Sequence, residues 1–353
     1  MKRWIRPEIR ALHAYPVPDA SGMIKLDAME NPYRWPAPMR EEWQQLLGAT
    51  DVNRYPDPTA KALSLRLKQT LEVPDGMDIV LGNGSDEIIQ MLAMAVAAPG
   101  RAIMAPEPGF VMYKMIAKFV AMDYIGVPLK QDFSLDMPAM LAAIEAQQPA
   151  LIFLAYPNNP TGNLFSEQQV KAIIEAAEGL VIVDEAYHAF ADHSFMGELG
   201  NYPNLLVMRT LSKLGLAGLR LGLLAGSPTW LAEVDKVRLP YNINVLTQVS
   251  ADFALQHAEV FAKQTAAIRA DRTLLLAALK EMPSLEVFPS AANFILFRVP
   301  EGQGSDIFDK LKQSGILIKN LTPQGGLLQD CLRVTVGTPE ENQAFIKALT
   351  TLL

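Results

Sequence analysis

The sequence predicts an α/β protein with two parts: a large domain built on a mostly parallel sheet flanked by helices, and a smaller α+β domain. Three observations carry this. Five short apolar runs, at 79–81, 103–105, 151–155, 180–183 and 205–208, are each followed by a polar or glycine-bearing stretch, and several lead on into a helix-like segment. Continuous apolar runs of this kind are what strands look like when both faces of the sheet are covered. Beyond about residue 281 the pattern changes to short strands interleaved with two helices.

In chain order, the first fifty residues are rich in proline and aromatics, with one extended segment at 23–28 and a short helix expected at 38–47. They read as an arm or as part of the smaller domain. Residues 59–71 set Leu63, Leu65, Leu67 and Leu71 among Lys and Arg, a helix pattern. The run at 79–81 passes through Gly82-Asn-Gly-Ser85 into a helix at 86–97, and the run at 103–105 into a helix from Phe110. The run at 151–155 leads through Tyr156-Pro-Asn-Asn-Pro-Thr-Gly162 into a helix at 166–177, the run at 180–183 meets Asp184-Glu-Ala-Tyr187, and the run at 205–208 reaches Lys213. Residues 221–225 are strand-like and 228–238 helical. A proline-free helical pattern spans 245–281, a connector between domains with a break expected near His257. Strands at 285–299, 315–318 and 331–336 and helices at 305–314 and 339–353 complete the chain. The domain expectation is an arm and part of the small domain at 1–48, a large domain at 49–250 and a small C-terminal domain at 251–353.

Composition narrows the function. At roughly 150 residues per domain, 353 residues suggest about two domains. A net charge of −7 with no basic block argues against nucleic-acid binding and favours small-molecule chemistry. No apolar stretch approaches the roughly 18 residues of a membrane span, and the basic start leads into no apolar run, so the expectation is a cytoplasmic protein. Cys331 is the single cysteine, which excludes an internal disulfide and reads as a small buried hydrophobe. His13, His188, His193 and His257 lack metal-ligand spacing, so no metal is expected.

In α/β sheets the ligand sits at the carboxyl ends of the strands, so five polar stretches far apart in sequence are expected to meet at one edge. The most informative is 209–222, with Lys213 just past an apolar run, flanked by Ser212 and followed by Arg220. A partly desolvated lysine becomes neutral and attacks a carbonyl to form a Schiff base, while the hydroxyl and guanidinium suit a phosphate. The competing reading is a surface lysine in a glycine-rich turn. Gly82-Asn-Gly-Ser-Asp86 at a helix start is either a phosphate seat or a capped helix after a glycine turn. Asp184 at a strand terminus suits the pairing of a buried pyridine nitrogen, or caps a helix. Asn159 donates to a ring oxygen, or belongs to a turn.

Taken together, Gly82 to Glu87, Tyr156 to Gly162, Val183 to Tyr187 and Thr210 to Gly222 resemble, in order and approximate spacing, the fold-type I aminotransferases of classes I and II, which depend on pyridoxal 5'-phosphate (PLP). Lys25-Leu-Asp-Ala-Met-Glu-Asn-Pro-Tyr33, Asn53-Arg-Tyr-Pro-Asp57 and Cys331-Leu-Arg-Val-Thr-Val-Gly-Thr338 make the chain most similar to the histidinol-phosphate aminotransferase branch. The resemblance covers nearly the whole chain. It implies that Lys213 bonds the cofactor covalently and then moves a proton, that Asp184 pairs with the ring nitrogen, and that Tyr187 and Asn159 bind the phenolic oxygen. Gly84, Ser85, Asp86, Ser212 and Arg220 would hold the cofactor phosphate, with Tyr55 reaching the phosphate of the neighbouring subunit of a homodimer, and Phe110 would stack on the ring. Arg333 and Lys319 would bind the substrate anion, and Tyr15 and Asn31 would close over it. The implied reaction is transamination of histidinol phosphate with 2-oxoglutarate in histidine biosynthesis. The alternatives are an aromatic-amino-acid aminotransferase or a threonine-phosphate decarboxylase of the same fold, and, from another class, a PLP-fold ligand-binding regulator without turnover. Two departures stand out: lysine at 319 where arginine is usual, which keeps the charge but loses the bidentate fork, and a spacing from Lys213 to Arg220 one residue tighter than the commonest.

Overall fold

A computed structural model describes residues 2–14 and 16–353. The N-terminal arm carries α1 (Pro7–Arg10) and β1 (Ile24–Lys25), followed by α2 (Ala37–Gly48) and α3 (Lys61–Thr70). An alternation of strands and helices then begins with β2 (Asp78–Gly82), α4 (Gly84–Val96), β3 (Ala102–Glu107), α5 (Val111–Phe119), β4 (Asp123–Pro128) and α6 (Met137–Gln147). It continues through β5 (Leu151–Ala155), α7 (Glu167–Ala176), β6 (Leu180–Asp184), β7 (Leu205–Thr210), β8 (Gly222–Gly226) and α8 (Pro228–Asp235). Two helices, α9 (Val245–Gln256) and α10 (Ala258–Lys280), lead to β9 (Glu286–Val287), β10 (Phe294–Arg298) and α11 (Gly304–Gln313). The chain closes with β11 (Ile316–Leu317), β12 (Lys319–Asn320), β13 (Cys331–Thr335) and α12 (Pro339–Leu352).

The main sheet has seven strands in the order β2-β8-β7-β6-β5-β3-β4. Only β8 runs against its neighbours, pairing antiparallel with both β2 and β7. Its central strands are buried along their whole length, and the period of two divides their side chains between two apolar clusters. Ile152, Leu154, Val181, Val183 and Val207 face one, while Leu151, Phe153, Ile182, Leu206 and Met208 face the other. That two-sided burial is why these runs read as uninterrupted apolar stretches, and it agrees with the α/β fold class expected from them.

A second, antiparallel sheet, β12-β13-β10-β9, packs with α10 and α12 around a third cluster centred on Phe294, Phe297, Leu332 and Phe345. The arm joins this part through β1, which pairs in parallel with β11. The break near His257 is real: His257 takes φ −109 and ψ 38 between α9 and α10 and its ring lies 4.6 Å from that of Phe253. Within the layers of the main sheet, β4 and α6 had no counterpart in the sequence reading. β4 lies at the edge of the sheet, pairs only with β3 and is mostly half-exposed, so Asp123-Tyr-Ile-Gly-Val-Pro128 lacks a continuous apolar run. α6 is rich in alanine and carries little polar-apolar contrast, so its period is faint. No helix among the described residues is long and apolar enough to cross a membrane.

Candidate active site

At the carboxyl ends of β5, β6 and β7 and the start of α4 lies a cavity of about 120 Å³. Ser85, Asp86, Phe110, Asn159, Asp184, Tyr187, Ser212, Lys213 and Arg220 all line it. The five polar stretches therefore meet at one edge, as the alternating pattern requires. A wider groove of about 590 Å³ lies elsewhere, near the N-terminus of α3, between β2 and α8, but the buried Asp184 and Lys213 line the smaller site.

Lys213 is delivered by the turn that leaves β7. Residues Ser212–Leu216 form one wide helical turn, and Gly215 takes φ 127, a conformation that a side chain would strain. The Lys213 Nζ donates to the carbonyl of Ala28 in the arm at 3.0 Å and lies 6.0 Å from the Tyr187 ring. Burial, followed by the nearby Arg333 guanidinium, pushes its pKa down to about 8.

Across the cavity Asp184, the last residue of β6, is buried. Its Oδ1 accepts from the Ala186 N–H at 3.1 Å and its Oδ2 from the Tyr113 hydroxyl at 2.6 Å. Burial raises its pKa to about 6 despite these two donors. Tyr187 follows three residues later, buried, with its hydroxyl accepting from Asn159 Nδ2 at 3.1 Å.

The third corner is built for an anion. Gly84 has φ +76, and a Cβ there would sit 2.7 Å from Arg220 Nη2; a Cβ on Gly222 would sit 2.8 Å from the Gly84 carbonyl carbon. Only glycine lets the two backbones and the guanidinium converge. Asn83, preceding α4, offers no side-chain cap, so the first-turn N–H groups of Ser85 and Asp86 and the helix dipole face the cavity. Arg220, held in the left-handed conformation, donates to Ser212 Oγ at 3.4 Å and lies 3.6 Å from Asp86 Oδ2. Asp86 Oδ1 is buried without a hydrogen-bond partner, and burial raises the pKa of its carboxyl. A cradle of free N–H groups and a guanidinium suits a bound phosphate. Lys213, Asp184 and this cradle together fit PLP.

The remaining expected residues fall in different places. Arg333, buried in β13, donates from Nη1 to Asn159 Oδ1 at 2.5 Å and from Nη2 to the Asp27 carbonyl at 3.1 Å, with the Phe294 ring 5.1 Å away. Lys319 on β12 pairs directly opposite Arg333, so both side chains leave one face of the sheet. Asn31 holds the arm to the lysine turn, donating to the Leu214 carbonyl at 2.9 Å and to Gln264 at 3.0 Å. Tyr55 is 80% exposed and stacks on Tyr241 at 4.5 Å, away from this chain's own cavity. Tyr15 lies outside the described residues.

The sequence reading missed Tyr113 and the arm carbonyls of Asp27 and Ala28. Tyr113 lies three residues beyond Phe110, the N-cap of α5, and the two rings meet edge to face at 5.5 Å; backbone carbonyls leave no trace in residue type. It also missed Glu185, whose carboxylate is met by Arg209 at 2.9 Å, the Ser194 hydroxyl at 2.9 Å and the Phe195 N–H at 2.5 Å.

Fold and site together define a chemistry of covalent amine exchange. The class I and II aminotransferase description matches residues 21–349, and the chain belongs to that family, whose cofactor is PLP. It is 59% identical over 347 residues to histidinol-phosphate aminotransferase 2 of Nitrosococcus oceani, covering 98% of this chain and 96% of that protein. It is 53% identical over 358 residues to histidinol-phosphate aminotransferase 2 of Cupriavidus pinatubonensis, covering 100% and 97%. Among solved structures, the histidinol-phosphate aminotransferase of Sinorhizobium meliloti in complex with PLP aligns with a TM-score of 0.86 at 23% identity, covering 99% of this chain and 98% of that one.

Proposed function

We propose that this enzyme transaminates L-histidinol phosphate with 2-oxoglutarate, giving imidazole-acetol phosphate and glutamate in histidine biosynthesis. The observation that carries the reading is the adjacent cation pair, Arg333 and Lys319, on one sheet face and tied through Asn159 to the wall of the cofactor cavity. One such pair meets the phosphate of one substrate and the carboxylates of the other in alternate half-reactions. The name shared by the highly similar relatives supports the same substrate.

PLP, when bound, supplies an electron sink that acidifies the substrate carbon. The protein supplies the rest. With a pKa near 8, Lys213 Nζ is neutral in an appreciable fraction near neutral pH, so it would serve as nucleophile towards the cofactor and then carry the proton from the substrate carbon to the cofactor's C4'. Asp184 holds a proton on the ring nitrogen by charge pairing. Asn159 and Tyr187, already hydrogen-bonded to each other, present donors to the phenolic oxygen. Phe110 offers its ring to the pyridine face, and Gly84, Ser85, Asp86, Ser212 and Arg220 seat the phosphate. The arm, anchored by Asn31 and by Met29 N–H to Thr335 Oγ1 at 3.0 Å, covers the cavity and excludes water. In this reading the exposed Tyr55 completes the phosphate site of a second copy in a homodimer working in the cytoplasm.

Single-turnover spectra test the assignment. Histidinol phosphate is expected to convert the bound cofactor to its amine form far faster than phenylalanine. Conversion by phenylalanine alone would favour the aromatic-amino-acid alternative, and release of carbon dioxide from phosphothreonine the decarboxylase.

A further inference from the structure

Asp184 is held by a residue that lines no part of the cavity. Tyr113, on α5, is 1% exposed, with its ring stacked on Phe153 of β5 at 4.6 Å and 12° and meeting the edge of Phe110 at 5.5 Å and 85°. Those two contacts leave the phenol no freedom to turn, and its hydroxyl ends 2.6 Å from Asp184 Oδ2. We propose that Tyr113 is a positioning residue for the ring end of the cofactor site: its hydroxyl fixes the orientation of the Asp184 carboxylate and stabilises its negative charge opposite the ring nitrogen. This rests on the reading of the cavity as a PLP site.

The chemistry supports a fixed direction for the bond. Burial and the adjacent carboxylate hold the Tyr113 hydroxyl well above its ordinary range, so it is the donor whenever Asp184 is charged. Asp184 is itself pushed upward by burial, and the Tyr113 hydroxyl is the largest influence in the opposite direction. The other titratable groups whose charge or dipole reaches the pair are Asp86 at the start of α4, Glu185 and Tyr187 beyond β6, and Tyr124 on β4, with Lys213 across the cavity. The two acids disfavour the Asp184 charge, and the Ala186 N–H gives it one further hydrogen bond. The same contacts give Phe110 a second function. Its ring rests edge-on against Tyr113, so the residue expected to stack on the cofactor also buttresses the one that orients Asp184.

Equilibrium binding of PLP to the apoprotein across pH 4–9 tests this, since the readout is affinity and not turnover. In the wild type, affinity falls on acidification as Asp184 is protonated near pH 6. Losing a hydrogen bond to a charged group is worth about one pKa unit or more. In Tyr113→Phe, which keeps the ring and its stacking, that acid limb moves up by about one pH unit, with affinity above the limb little changed. Incorporation of 3-fluorotyrosine at position 113, a stronger donor, moves the limb downward and keeps the test open if the phenylalanine variant folds poorly. Limbs that coincide in all three proteins, or a uniform loss of affinity without a shift, would overturn the proposal. Failure of the wild type itself to bind PLP would instead overturn the cofactor site.

Discussion

Asp184 and Glu185 are neighbours in the chain, both carboxylates, both buried at the end of β6, and they do opposite things. Glu185 points into the scaffold, where Arg209, Ser194 and the Phe195 N–H meet it, and Arg209 is held in turn by the Leu71 carbonyl at 3.2 Å. Its charge is answered inside the chain. Asp184 turns to the cavity and finds two donors but no cation, so burial lifts its pKa to about 6. Facing it, Lys213 is pushed down to about 8 for the mirror reason. The lesson is that a buried charge completed by its own chain is architecture, and one left short of a counter-charge is kept for a ligand.

The pair can be broken from either side. Glu185→Ala strands Arg209 in the interior and should lower stability by about 3–5 kcal/mol, read as a lower midpoint in denaturant unfolding. Asp184→Asn should leave that midpoint near neutral pH unchanged or raised, because in the apoprotein this acid's stabilising effect is fully present only below its unfolded pKa and is lost as pH rises through about 6. Its turnover should fall roughly 10²–10³-fold. If both substitutions destabilised alike, the distinction would fail.

A smaller effect sharpens the same contrast at the substrate end. Lys319→Ala removes one cation of a pair and should raise KM for the phosphate-bearing substrate about tenfold, with a lesser rise for glutamate; Lys319→Arg should restore it. An equal rise for both substrates would place Lys319 outside phosphate recognition. The gentlest test is pH: PLP uptake by the apoprotein should quicken as pH rises towards about 8, where Lys213 loses its proton, and level off above. A flat rate would deny the lysine its lowered pKa.

How much of this the sequence carried follows from burial. The central strands announced themselves because both faces are covered, and Lys213, Asp184 and Asn159 because polar residues directly beyond apolar runs have little structural reason to be there. β4 was silent because an edge strand needs only one neighbour. Tyr113 was silent for a different reason: an aromatic one turn into an amphipathic helix looks like core, and by packing it is core, so only its hydroxyl at Asp184 tells otherwise. The Ala28 and Asp27 carbonyls that receive Lys213 and Arg333 carry no residue signature at all. The first fifty residues read as an arm or as part of the smaller domain, and in the fold Met29 lines the cavity while the Ala28 carbonyl receives Lys213.

The chemistry of the site turns on one nitrogen atom, Lys213 Nζ. Protein loaded with PLP, reduced with borohydride and digested should carry the pyridoxyl mass on the peptide containing Lys213, and the Lys213→Ala protein should carry none there. A label on another lysine, or equal labelling of the two proteins, would contradict the account at its centre.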